Sequence, residues 1–358
     1  MDKSLYVILM YILTHLGLVF FLYPGNIIAS TDQGHWVPIV LGVLVHFGLI
    51  LLYMKGLSFF PKKDIVSIYS EIGKWTGPIF LFPVFLYLFL VLLISVRAYS
   101  EIISMVFLAE TPIWAIVLLL LSLSTFITLK GIETIFRTGV VIAILFLPIV
   151  IITFLTSFQN VDWRYVFPLG SDFHFITKRS YIESFFAYAG GFLFLGFVQP
   201  YFSYKKKGIL MSAVLLIPCF IFSVYIPVLT FGDATASTMF FPFVSVLDTI
   251  TIDWLMFERV TMFFLLSLTS FIMLFITLII WKCSRLMNYF IPVVNQSYLT
   301  LFLSTTIFFI CYLIPDWKNV EEVLWWNSFL RFFSIIAVPS SLYFFGQRIK
   351  RIDKNGNF

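Results

Sequence analysis

Ten apolar runs, each long enough to cross the roughly 30 Å hydrocarbon core of a bilayer as a helix, limit the fold of this chain more than any other feature. Their approximate limits are 5–30, 36–54, 79–108, 112–129, 134–156, 181–203, 208–231, 255–281, 290–314 and 325–346. Inside hydrocarbon every backbone N–H and C=O needs a partner within the protein, so only helices or a closed barrel can span. The runs lack the alternation of a barrel strand, which leaves helices. The expected fold is an all-α integral membrane protein, one polytopic domain over residues 1–358. With 61% hydrophobic and 11% charged residues, the chain could not clothe a soluble surface, and it offers neither the polarity of a disordered chain nor a nucleic-acid-binding face. The first run, from Ser4 to about Ala29, is too long for a signal-peptide core and has no basic region before it, so it reads as an uncleaved first span.

Charge placement gives the orientation. If the N-terminus is cytoplasmic, 16 of the 23 basic residues fall in inner segments, Lys205, Lys206 and Lys207 among them. Five fall in outer segments, while Arg97 and Arg331 lie within spans. This bias predicts that both termini are cytoplasmic and that the lysine triplet anchors to anionic lipid. The longest polar stretches, 157–180 and 232–254, are too short for a soluble domain. The second mixes Phe240, Phe241, Phe243 and Val246 with Asp and Thr and reads as an amphipathic interfacial helix. Phosphate loop, zinc signature and nucleophile elbow are all missing, so the chain reads as no enzyme, with no cofactor or metal. Cys219, Cys283 and Cys311 lack paired spacing and read as small core hydrophobes.

Charged and helix-interrupting residues inside the spans are the candidates for function. Arg97 and Glu101 stand at i and i+4 in the third span, on one face. Charge near the bilayer centre is expensive, so the two are either a self-neutralised structural pair or a polar wall of a ligand cavity. Arg331, in the tenth span, reads as snorkelling to the outer surface. In the first span Thr14, His15, Leu16 and Gly17 precede Tyr23-Pro24-Gly25, and in the sixth Tyr188, Ala189, Gly190 and Gly191 precede Gln199-Pro200. Gly and Pro release backbone groups, and in transporters such interruptions line a substrate site near the midplane. Spans 1 and 6 are matched positions of a five-plus-five inverted repeat, with repeat 1 about 5–156 and repeat 2 about 181–346. Tyr87 on span 3 and Thr269, on a span 8 face shared with Glu258, Thr261 and Leu265, are further candidate walls. His46 reads as a histidine satisfied within the bundle.

Several segments, in this order and spacing, carry a resemblance: Arg97-Ala98-Tyr99-Ser100-Glu101, Leu108-Ala109-Glu110-Thr111-Pro112, Phe167-Pro168-Leu169-Gly170, Pro200 to Lys207, Phe257-Glu258-Arg259 and Pro315-Asp316-Trp317. Over essentially its whole length the chain resembles the spore germination B-subunit family, the permease-like components of Ger-type germinant receptors in endospore-forming bacteria. That family is similar in turn to the amino acid/polyamine/organocation permeases. The resemblance implies a small germinant, such as an amino acid, bound between unwound spans 1 and 6 with help from spans 3 and 8. It also implies A and C subunits as partners in the inner spore membrane. One departure stands out: permeases often carry two glycines at the span 1 break, whereas here Gly17 is followed by Leu18 and Val19. Three functions follow: a sensor that signals to partner subunits, a secondary transporter of amino acids coupled to H⁺ or Na⁺, and a purely structural assembly subunit, which would leave Arg97 and Glu101 idle.

Overall fold

The computed structural model describes residues 3–170, 173–250 and 260–355. Among these, seven helices are long and apolar enough to cross a membrane unaided. They are Trp36–Leu57 (span 2), Thr76–Val106 (span 3), Ile132–Thr156 (span 5), Lys206–Phe231 (span 7), the helix from Val260 to Phe290 (span 8), Gln296–Leu313 (span 9) and the continuous run from Trp317 (span 10). Span 4 is the 17-residue helix Ile113–Leu129. Spans 1 and 6 are broken. Span 1 is Lys3–Val19 (1a) and Leu22–Ile28 (1b), bent by 52°. Span 6 is three short helices, Arg179–Ser184 (6a), Phe186–Phe192 (6b) and Phe194–Val198 (6c). This is the permease-like architecture that the interrupted first and sixth runs predict, although Glu258 and Arg259 lie outside the described residues.

The break in span 1 falls at Phe20–Phe21 rather than at Gly17, and Pro24 explains the shift. A proline ring lacks the N–H and collides with the carbonyl four residues earlier, which here is Phe20. The backbone N–H of Phe21 turns back to Leu18 O (3.3 Å), leaving Gly17 O without its helical donor. Tyr99 of span 3 supplies the replacement, its hydroxyl donating to Gly17 O. Gly17 itself serves close approach: a Cβ there would stand 3.3 Å from Phe271 Cβ of span 8.

Span 6 is interrupted at Phe185 and Leu193, on either side of Gly190 and Gly191, which are helical. The carbonyls released at these breaks find side-chain donors. Tyr53 donates to Leu193 O (3.0 Å), and Arg331 reaches Ile182 O and Glu183 O (3.2 Å each). Buried backbone acceptors without a helical partner need such substitutes, above all in lipid.

Span 8 is the central post. Of its most apolar stretch 72% is buried, against 28% for span 5, which faces outward. The described part of the stretch 232–254, residues 232–250, does not lie in the interface as one amphipathic helix. It folds into Asp233–Ala236 and Pro242–Leu247 and closes over the span 1 break, with Phe243 and Val246 fully buried. Phe243 packs 4.7 Å from the Phe20 ring and Phe241 stacks 5.3 Å from Phe21. Phe241 and Phe243, two of the rings that suggested lipid contact, are the cap on the broken helix, while Phe240 stays exposed. Asp64 caps the helix Ile65–Ile72 through Ser67 N (2.8 Å) and binds Arg285 of span 8 at 2.7 Å.

Candidate functional site at the junction of spans 1 and 6

The sequence places His15 one turn after Tyr11, and that spacing locks the imidazole. Its Nδ1 donates to Tyr11 O at 2.7 Å, so in the neutral ring Nε2 is an acceptor, and it is buried with no partner. Across from it stands helix 6b. Gly191 is the contact point, since a Cβ added there would run into the His15 ring. His46 of span 2 lies with its ring 5.2 Å from that of His15, its Nε2 is 2.9 Å from the Tyr11 hydroxyl, and its Nδ1 is also buried and unpartnered. Tyr188 of 6b packs 5.3 Å from His46, and its hydroxyl meets that of Tyr23 in 1b at 3.0 Å. The Tyr188 ring also occupies the space beside Gly42 of span 2, where a Cβ would stand 2.8 Å from its hydroxyl.

Polar groups from both halves of span 1, from span 2 and from helix 6b therefore converge in a buried ring cluster. Two imidazole nitrogens are left over, and a small ligand that donates to His15 Nε2 and pairs with His46 Nδ1 could satisfy them. Of the residues expected from sequence, the fold joins His15, Tyr188 and Gly191 here, while Gly17 lies inside helix 1a against Phe271 of span 8. Leu16 is buried in the same turn. Thr14 is buried but spends its hydroxyl on Met10 O (2.8 Å) and Tyr11 O (3.1 Å), within its own helix. Ala189 and Gly190 lie in helix 6b. Thr269 is half-buried on span 8, two residues from the Phe271 that abuts Gly17.

Arg97 and Glu101 look elsewhere, and Tyr87 stands with Asn327 and Arg331 of span 10. Arg97 and Glu101 do form an ion pair, and Arg97 Nη2 points to Ile314 O (3.5 Å) past the end of span 9. Tyr87 is fully buried, and its backbone O accepts from Asn327 of span 10 (3.2 Å). Arg331 does not snorkel. It is 0% exposed, and by the α-helical rise it lies roughly 21 Å along span 10 from Trp317, because that helix begins eight residues before the apolar run does. A sequence signal for it exists, in Asn327, Arg331 and Ser334 at i, i+4 and i+7 on one helical face. His46, which the sequence reads as satisfied, keeps Nδ1 unpartnered and joins the site, and Tyr11, Tyr23 and Tyr99 were the other residues missed, because aromatic residues among so many carry no signal of their own.

Comparison with known proteins agrees with this geometry. No curated protein matches the sequence. Among solved structures, MhsT in complex with L-phenylalanine is similar in fold, with a TM-score of 0.65 at 11% identity, covering 95% of this chain and 95% of that one. The model of the Spore_permease family, described as spore germination protein, matches residues 3–320. With its broken first and sixth spans and a family match over most of its length, the chain belongs to the spore germination permease family of integral membrane proteins.

Proposed function

We propose that the chain is the permease-like subunit of a nutrient germinant receptor, binding a small germinant, an amino acid, at the junction of spans 1 and 6. The observation that carries this is the buried pair of unpartnered imidazole nitrogens set against Gly191 of a broken helix. Unsatisfied buried polar groups are costly, and a ligand that satisfies them in one conformation biases the protein toward it. That MhsT was captured with L-phenylalanine supports an amino acid as ligand, and the family supports germination as the response. On this proposal residues 5–156 and 181–346 are the two repeats, the protein sits in the inner spore membrane with both termini cytoplasmic, and A and C subunits receive the signal.

Spores carrying His15→Phe should accumulate the protein at native levels and lose their response to amino acids. An unchanged response would refute the site. Uptake of labelled amino acids by proteoliposomes of the isolated chain separates sensor from transporter: gradient-driven accumulation would replace the sensor with a working carrier.

A further inference from the structure

Arg331 presents a second, chemically opposite cluster, and the mechanism at His15 does not use it. The guanidinium is fully buried near the middle of the bundle and forms no ion pair among the described residues. The acid next to it in the fold, Glu183, gives its carboxylate to Arg179 at 2.7 Å. All the hydrogen-bond acceptors of Arg331 are neutral: Ile182 O, Glu183 O, Leu324 O (3.4 Å) and Asn327 Oδ1 (3.1 Å). Its guanidinium carbon sits 5.3 Å from the Phe186 ring centroid, at the start of helix 6b. A charge this deep is rare without a partner and marks a functional site in membrane proteins.

The groups around it are donors left over. Arg331 Nε, the Tyr87 hydroxyl and the Ser334 hydroxyl are all buried and unpartnered. Asn327 ties Tyr87 into the cluster, donating to Tyr87 O while accepting from Arg331. Ser334 lies one turn beyond Arg331 on the same face, within the π-helical segment Phe333–Ala337. Such segments recur at functional sites because they re-aim side chains. A positive charge with spare N–H and O–H donors suits an anion and rejects a cation. The His15 cluster differs in kind: His15 Nε2 is a free acceptor there, and the carbonyl freed at the span 1 break is already taken by Tyr99. We propose that Arg331, with the Tyr87 and Ser334 hydroxyls, forms an anion subsite at the end of helix 6a that takes the carboxylate of the ligand. This rests on the germinant function proposed above and assigns one end of that ligand.

The test uses the full chain in nanodiscs, probed with the twenty L-amino acids and with the carboxamide of each one that binds. A charge-assisted contact to a carboxylate should make the native protein prefer the acid to its carboxamide by about tenfold or more. Arg331→Gln should erase that preference while the carboxamide affinity stays within about twofold of native. Tyr87→Phe removes a hydroxyl with no partner in the fold, so it should leave the amount of protein unchanged and weaken the acid by about five- to tenfold. A native protein indifferent to the carboxylate, or a preference that survives Arg331→Gln, overturns the subsite. If Arg331→Gln fails to accumulate, an undiminished preference in Tyr87→Phe overturns it instead. Binding of none of the amino acids by the native protein overturns the germinant reading, and the carboxylate assignment falls with it.

Discussion

Gly191→Ala adds one methyl group at the point where helix 6b meets span 1, and the consequence can be worked from the contacts. In an otherwise open helix this change would stabilise by about 0.5–1 kcal/mol, since alanine is the better helix former. Here the three atoms nearest to the new Cβ all belong to the His15 imidazole, each well inside van der Waals contact. The ring cannot simply rotate aside, because its Nδ1 is held by Tyr11 O at 2.7 Å and its far side meets His46. Overpacking of this kind costs about 1–3 kcal/mol, and loss of the imidazole bond adds about 1 kcal/mol. With the helix-propensity gain subtracted, the net expectation is destabilisation by about 1–3 kcal/mol. Thermal denaturation of the purified full chain in detergent, followed by size-exclusion chromatography, reads the effect. His15→Ala supplies the control: in that background Gly191→Ala should be neutral or stabilising, a coupling of contacting residues that a double-mutant cycle resolves. A Gly191→Ala protein as stable as native, or a penalty that persists when the ring is gone, would refute the contact and with it the geometry of the site.

Other expectations are independent of this one. Tyr99→Phe strands Gly17 O in the core and should destabilise by about 1–3 kcal/mol, with loss of the germination response, whereas Tyr298→Phe, on an exposed ring, should change neither melting temperature nor response. Removing Glu101 alone leaves a buried Arg97 uncompensated, at about 3–5 kcal/mol, and should be worse than removing Arg97, because the Glu101 side chain keeps 18% of its exposure against 3% for Arg97. Neutralising both should restore the amount of protein if the pair is structural, and the germination response then separates architecture from ligand binding. Asp64→Ala loses a helix cap worth about 1 kcal/mol and also unpairs Arg285, so Asp64→Asn, which can still cap, should retain part of the melting temperature. A cysteine introduced at Lys206 should react with an impermeant reagent only after permeabilisation, and labelling in sealed cells would reverse the orientation.

The sequence by itself determined what the bilayer enforces. Twenty-residue apolar runs must become helices because lipid leaves the backbone no other partners, so an all-helical membrane fold was legible from composition and length, and the permease-like architecture from the interruptions and the family resemblance. Pro24 and the glycines marked spans 1 and 6 as interrupted for the same local reason. Where the interruptions fall was decided by tertiary structure: Gly191 stays helical because its use is to admit the His15 ring, and the breaks move to Phe185 and Leu193, where Arg331 and Tyr53 can take the freed carbonyls. The stretch 232–250 shows the same limit, since its phenylalanines fit a membrane surface and a core equally well and only contact with Phe20 and Phe21 draws Phe243 and Phe241 inward while Phe240 stays exposed. Arg331 is the sharpest case. Its position in an apolar run suits snorkelling, and burial depends on how far the helix extends beyond that run and on which carbonyls another span has left unpaired. Local pattern fixes which groups need partners, and long-range packing alone decides who supplies them.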